Sequence, residues 1–460
     1  MQKDKVNTSA QAEGGIGNDY ATGTVPLNQR RGFYATSAVW VGWCISLSAF
    51  LTGGTIGAGN NWKMGLLAVF AGNALLMVIG GLCGMCGFRS GRSTYALFEA
   101  MFGSKGSVFA SVVRGISAMS FIGVLLNSFA NTLIALIPAF PFWLAVAIFG
   151  VLILLTSING FKGLEVLSKI AAPLLWVLLA LCLFMTIKNY GIQGIVSYTP
   201  EQPLDFITSM GAAVATWVAG AGMAADLTRY SKKSSHVWGG SLIGYILGSG
   251  IFEAVAVITA IGVGNGNLVI VMSQLGLLIP AVLILAAALW TTTDNNIYSA
   301  SLAFTNAAHI MGLNIPKWVF CVASDAIALA VAFMGLASKF SSWLSFTGSL
   351  CGPLAGMMVA HYLVFNNKKN KVFVPKNFRL SGWLTWIISF IGSQMTSSAI
   401  PAVTAIIMGF VVYVVLYYIL DIKMNIHKED VNNPVNGVVW DFPTSKEIEE
   451  KIAAEEAAAK

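Results

Sequence analysis

Long apolar stretches alternate with short polar ones along the whole chain. Twelve apolar segments reach the roughly 20 residues that a membrane-crossing helix needs. They lie near 34–58, 63–88, 106–137, 141–158, 164–187, 204–229, 235–263, 277–310, 316–334, 341–364, 381–399 and 401–421. The pattern predicts an all-α polytopic membrane protein. Two segments are unlike plain lipid-facing helices. The stretch Trp40–Gly59 carries Ser46, Ser48, Thr52 and Thr55 together with Gly42, Gly53, Gly54, Gly57 and Gly59. Glycine in a helix interior costs about 1 kcal/mol relative to alanine, and backbone groups freed inside hydrocarbon persist only where they are buried in protein or line a cavity. The first span is therefore expected to be irregular, to face the interior and to offer backbone carbonyls. Span six is also rich in small residues, with Gly211, Gly220 and Gly222. If spans one to five form one repeat, span six opens the next. Interrupted helices at matching positions of two halves are the sequence mark of an inverted-repeat binding site; the competing reading is two small-residue packing faces.

Charge supports the count and sets an orientation. With the N-terminus inside, Lys63, Lys188 and Lys339 face out, Arg114 falls within span three, and every other Lys and Arg falls on the cytoplasmic side. That is the positive-inside pattern, with both termini cytoplasmic. The expected divisions are 1–32 as a disordered cytoplasmic tail, 33–188 and 189–365 as two five-helix repeats, 366–421 as two further helices, and 422–460 as a charged cytoplasmic tail. Residues 1–32 contain no apolar core, so a signal peptide is not expected there.

The chain is 56% hydrophobic and 10% charged, whereas a soluble domain carries about 25% charged residues. The net charge of +7 belongs to cytoplasmic loops, so a nucleic-acid partner is excluded and the lipid bilayer is the expected surroundings of a monomer. All six cysteines lie in apolar stretches; the lone Cys83-x-x-Cys86 has no second pair and reads as small packing residues.

Little in the sequence suggests an enzyme. Gly220–Ala225 fits G-x-G-x-x-A, but it lies inside a membrane span and not in a strand-to-helix turn. The P-loop pattern is absent, so the energy for transport would come from an ion gradient. Acidic diphosphate motifs, clustered histidines and a nucleophile elbow are absent too. The expected protein is a transporter with no cofactor beyond a co-transported ion.

The second dense polar stretch is Trp290–Asn296, in span eight. Thr291, Thr292, Thr293, Asp294, Asn295 and Asn296 cannot all face lipid without cost. Adjacent hydroxyls and freed carbonyls would make a hard-oxygen cage for a small alkali cation. The same hydroxyls can equally bond the preceding turn. Arg114, Asp226, Glu253, Asp294 and Asp325 are charges at membrane depth, where an ionisable group is a functional candidate by default; Glu253 and Asp294 form a possible proton path. Trp217 in span six and Phe121 in span three are aromatic faces that could stack on a flat ring, although most membrane aromatics only pack.

Several runs then point to a family. These are TGGTIGAG at Thr52–Gly59, Gly72-Asn73, FGSKGS at Phe102–Ser107, AADLTRY at Ala224–Tyr230, GLLIPA at Gly276–Ala281, LWTT-x-DN at Leu289–Asn295, and WLSF through Pro353 to AHYL, Trp343–Leu363. Together they resemble the nucleobase:cation symport (purine/cytosine permease) family, nearest to its bacterial cytosine-carrying members. The resemblance implies the leucine-transporter-type fold, a 5+5 inverted repeat plus two helices, in the inner membrane. It implies a site between spans one, three, six and eight, and sodium coupling in several bacterial members, with proton coupling in others. It places the cation on backbone oxygens of Gly42, Ile45 and Ala288 and on the hydroxyls of Thr291 and Thr292.

The substrate positions implied are Ala118, Phe121, Thr216, Trp217 and Ala219, with Ser48 and Thr293 as further polar candidates. Ala118 and Phe121 stand where cytosine-carrying members have Gln and Trp. Thr216 and Ala219 replace two serines, Trp217 a Phe, Ala288 an Asn, and His361 the Asp of an A-D-Y-L run. Losing polar groups built for a ring edge rejects that ring strongly, so cytosine itself is not expected. The expectation is sodium-coupled import, by alternating access, of another nucleobase, a hydantoin- or allantoin-like ring, or a vitamin-precursor pyrimidine. The alternative is proton-coupled uptake of an amine or amino acid on the same fold.

Overall fold

Helices stand at all twelve expected positions in a computed structural model, which describes residues 20–458 except 267, 336–339, 368–369, 397–399, 430–433 and 435. In some helical stretches, 278–285 and 288 among them, it describes the backbone alone. The first span is two helices, α1 (Phe33–Cys44) and α2 (Leu47–Ala58), bent by 54°. The break does not fall at the glycines. Ile45 is extended (φ −78°, ψ 107°), and Ser46 (φ −140°, ψ 158°) caps α2 by accepting from Ala49 N at 3.2 Å, the role for which serine is favoured. Gly53 and Gly57 serve packing instead. A Cβ at Gly53 would lie 2.7 Å from Ala256 Cβ, and one at Gly57 would lie 3.0 Å from Ala260 Cβ. Both neighbours belong to α11 (Ile251–Val263), so these glycines let α2 lie directly against it.

Span two is α3 (Trp62–Ser90), followed by the short α4 (Thr94–Phe102). Spans three to five are α5 (Ser104–Leu136), α6 (Phe142–Ser157) and α7 (Gly160–Ser197). Span six is broken as expected: α8 (Phe206–Ala221) stops at Gly222 and one turn resumes as α9 (Ala225–Thr228). Span seven begins as α10 (Ser234–Ser241) and runs through wide π-type turns at Leu242–Gly250 into α11. After α12 (Leu268–Gln274) come α13 (Leu278–Ile310), α14 (Lys317–Phe333), α15 (Phe340–Met358), α16 (Leu380–Met395) and α17 (Pro401–Leu416).

Among the described residues, six helical segments are by themselves long and apolar enough to cross a membrane, and the bent pair α1–α2 makes a seventh. Of the other expected crossings, α6, α8, α14 and α16 have 16 or 17 residues, and the apolar first half of the 33-residue α13 lies largely outside the described side chains. Among the described residues, length and apolarity alone therefore account for seven of the twelve expected crossings. The closest helix pairings are α2 with α11, α3 with α8, α5 with α13 and α15 with α17.

The chain ends depart from free tails. Residues 1–19 lie outside the described residues, but 20–32 pack on the bundle, where a disordered segment was expected. Ala21 and Val25 are buried, Val25 N donates to Gly91 O at 2.9 Å, and the Arg30 guanidinium donates to Phe88 O at 2.7 Å and Ser231 O at 3.2 Å. At the other end, β2 (Gly437–Asp441) pairs antiparallel with β1 (Lys371–Pro375), a small sheet that the apolar pattern did not reveal. Helix α18 (Ser445–Ala458) then buries Ile448 and Ile452 with Phe88 and Val237. All six cysteines are buried and free, in keeping with packing.

Candidate functional site

The break at Ile45–Ser46 strips the last carbonyls of α1 of their helical partners, and the negative end of that helix points at the gap. Two of these carbonyls are met from other helices. The Trp217 indole Nε1 of α8 donates to Cys44 O at 3.1 Å. Thr292 Oγ1 of α13 donates to Ile45 O at 3.4 Å. One turn before Ile45 lies Gly42, also buried.

The polar run of α13 is buried throughout, and it divides between the two readings left open by its sequence. Thr293 Oγ1 bonds Leu289 O, and the amides of Asn295 and Asn296 each bond a carbonyl four residues back at 2.8 Å. Thr291 Oγ1 reaches Ala287 O at 3.2 Å. Thr292 is the residue that crosses to α1. One contact, Thr292 Oγ1 to Ile45 O, thus joins α13 to α1, with Gly42 one turn before Ile45 and Thr291 beside Thr292 in the chain. Ala288 lies on α13 close by in sequence, but its side chain lies outside what is described.

Next to this junction is a cavity of about 20 Å³, room for one water. Five of the seven expected substrate residues line it: Ala118, Phe121, Thr216, Trp217 and Ala219. The Phe121 and Trp217 rings are tilted at 55° with centroids 6.3 Å apart, so in this conformation no flat ring fits between them. Phe121 stacks instead on Trp343, at 5.7 Å and 29°. Thr216 Oγ1 is 2.9 Å from Thr52 Oγ1 of α2, which couples the two broken spans.

The remaining candidates lie elsewhere. Ser48 Oγ is 2.7 Å from Ser46 Oγ at the start of α2, and Thr293 is turned to its own helix; neither lines the cavity. His361 is buried in the π-type turns Val359–Phe365 that follow α15, its Nδ1 2.9 Å from the Tyr413 hydroxyl of α17, away from the cavity lining. Glu253 Oε2 accepts from Asn73 Nδ2 at 2.8 Å. Asp294 accepts from Ser157 Oγ, which ties α13 to α6. Both carboxyls are fully buried and off the cavity wall.

Arg114, Asn296, Trp343 and Thr347 also line the cavity, and the sequence did not assign them to a substrate site. Arg114 was within reach: it precedes Ala118 by four residues and Phe121 by seven, the spacing of one helix face. Trp343 carries no polar marker that separates it from packing aromatics.

Residues 24–418 match the family described as permease for cytosine/purines, uracil, thiamine, allantoin. The cytosine permease of Escherichia coli (strain K12) is 27% identical over 410 residues, which cover 88% of this chain and 96% of that protein. The hydantoin permease of Microbacterium maritypicum is 20% identical over 386 residues, 77% of each. Among solved structures, Mhp1, a nucleobase-cation-symport-1 family transporter in a closed conformation with bromovinylhydantoin bound, superposes with a TM-score of 0.77 at 16% identity, covering 88% of this chain and 96% of that one. A Na⁺-coupled sialic acid symporter in a substrate-bound outward-open state follows with a TM-score of 0.64 at 13% identity, covering 89% and 92%. The architecture is therefore the expected inverted-repeat fold of the leucine-transporter type.

Proposed function

Because the chain belongs to the family of permeases for cytosine/purines, uracil, thiamine and allantoin, we propose that it couples sodium entry to the import of a small nitrogen heterocycle across the inner membrane by alternating access. It is a multi-pass secondary transporter and not an enzyme. The observation that carries the sodium reading is the approach of Thr292 Oγ1 to Ile45 O across the broken first span. A cation at this junction would find the hydroxyls of Thr291 and Thr292, the carbonyls of Gly42, Ile45 and Ala288, and the negative end of α1. It would hold α13 to α1 in one state of the cycle. Sodium then promotes substrate binding only as far as its affinity differs between states.

The aromatic walls of the cavity, Phe121, Trp217 and Trp343, support a flat cargo once they part. Ala118 and Ala219 offer no side-chain hydrogen bonds, which argues against cytosine itself. The protein acts as a monomer with both termini in the cytoplasm.

Thermal stabilisation of the purified protein by a panel of nucleobases, hydantoins and related rings, in sodium and in potassium, tests the proposal. A ring that raises the melting temperature in sodium alone is the expected result. Stabilisation indifferent to the cation would remove sodium coupling; no ring acting in either salt would remove the substrate class.

One observation favours a second reading. Glu253 is a fully buried carboxyl beside Asn73, placed to carry a proton in uptake of an amine or amino acid. Sodium-independent, pH-driven uptake abolished by Glu253→Gln would establish that reading in place of the first.

A further inference from the structure

One wall of the cavity is charged. Arg114 shares the α5 face of Ala118 and Phe121, is 4% exposed, and lines the same space as Trp217 and Trp343. Its guanidinium donates to Ser117 Oγ at 3.3 Å and to Ala219 O at 2.7 Å. Both acceptors are neutral. Among the described residues no Asp or Glu lies within ion-pairing distance of it. The buried Arg379 shows the usual arrangement: it pairs with Asp421 at 3.1 Å and also with Glu429.

An uncompensated cation at membrane depth is costly. Ala219 lies in the last turn of α8, whose carbonyl end carries a partial negative charge, but a partial charge offsets only part of a whole one. A guanidinium has five N–H donors, and Arg114 uses two on these neutral oxygens. Its planar fork matches a carboxylate, which it can bind through two parallel hydrogen bonds.

We infer that Arg114 anchors an anionic group of the substrate, and that the cargo is a small heterocycle bearing a carboxylate rather than a neutral nucleobase. The inference rests on the reading above that a ring occupies this cavity. The ring packs against Phe121, Trp217 and Trp343 while the carboxylate lies on Arg114. Rejection of neutral rings follows from the same residue, because a neutral ring would leave the buried charge as costly as before. Transport has a consequence as well: one sodium entering with one monoanion moves no net charge, whereas one sodium with a neutral ring moves one.

Matched ring pairs test this: uracil against uracil-6-carboxylate, and nicotinamide against nicotinate, each titrated in sodium with the melting temperature as readout. At least one carboxylate is expected to stabilise the protein where its neutral partner does not. Arg114→Gln is expected to weaken that carboxylate at least tenfold, the least that losing a charge-assisted hydrogen bond costs. Arg114→Lys keeps the charge without the fork, and is expected to bind more weakly than the parent while still preferring the anion. It also serves as the folded comparison if Arg114→Gln does not fold. Neutral rings stabilising while carboxylates do not would overturn the inference and leave the ring reading standing. Carboxylate affinity unchanged in either variant would overturn Arg114 as the anchor. No ring of either kind acting would overturn both.

Discussion

Removing the Thr292 hydroxyl is the sharpest test of the proposed sodium site. Its Oγ1 reaches Ile45 O at 3.4 Å, in a position with no exposure to solvent, so water cannot replace the lost oxygen at no cost. A hydrogen bond or ligand contact to a charged group is worth about 1.5–3 kcal/mol, which corresponds to roughly tenfold to 150-fold in affinity. Thr292→Ala should weaken sodium binding by that factor. The readout follows from linkage. A ligand present at 100 times its Kd stabilises the folded state by about 2.7 kcal/mol. A 30-fold weaker site at the same concentration retains only about 0.9 kcal/mol by the same relation. Melting curves over a sodium series, with potassium or choline keeping ionic strength constant, should show the midpoint concentration displaced. Thr292→Ser, which keeps the hydroxyl, should restore most of the response. Thr293→Ala should leave the sodium midpoint in place, because that hydroxyl is committed to Leu289 O of its own helix. A sodium midpoint identical in Thr292→Ala and the parent would refute the reasoning.

Three further outcomes follow from the packing. Trp217→Phe leaves Cys44 O, met by the indole N–H at 3.1 Å, without its partner; the melting temperature should fall in keeping with about 1–3 kcal/mol, and Trp217→Ala should in addition abolish ring-dependent stabilisation. Gly53→Ala puts a Cβ against the Glu253 carbonyl oxygen and 2.7 Å from Ala256 Cβ; overpacking of this kind costs about 1–3 kcal/mol, and adding Ala256→Gly, which relieves only the second contact, should recover part of the loss in a double-mutant cycle of melting temperatures. Arg89 donates to Pro443 O at 2.9 Å and Phe442 O at 3.2 Å, and its guanidinium sits 3.9 Å from the centre of the Phe442 ring, so Arg89→Ala should release the segment carrying α18. Limited proteolysis should then cleave within 437–458 faster than in the parent, with the membrane-embedded fragment intact.

The helices were legible because apolar length is a one-dimensional property, and each of the twelve runs does become a helix or a broken helix. The cause of the first break was not. Glycines marked the stretch, yet Ser46 and the extended Ile45 make the bend, and Gly53 and Gly57 answer to α11, a neighbour that span one cannot announce. The same limit divides the site. Thr291–Asn296 stood out because polar residues are costly in a membrane helix, but bonding back along α13 and bonding across to α1 look alike in sequence. Only the position of the break at Ile45 selects Thr292. The strand pair β1–β2 and the seat of α18 depend on segments far apart in the chain, so a pass through either segment alone reads loop and tail. Arg114 is the clearest case. Its charge was visible, and so was its helical spacing to Ala118 and Phe121. What the sequence could not show is that no carboxylate stands near it among the described residues, since pairing is settled by which helices pack together. The position of a polar group can be read along a chain. Whether that group finds a partner, and whether the partner balances its charge, depends on the assembled bundle: Ile45 O meets Thr292 and Cys44 O meets Trp217 from other helices, while Arg114 meets only neutral oxygens, and it is on these two places that the proposed ion and cargo sites rest.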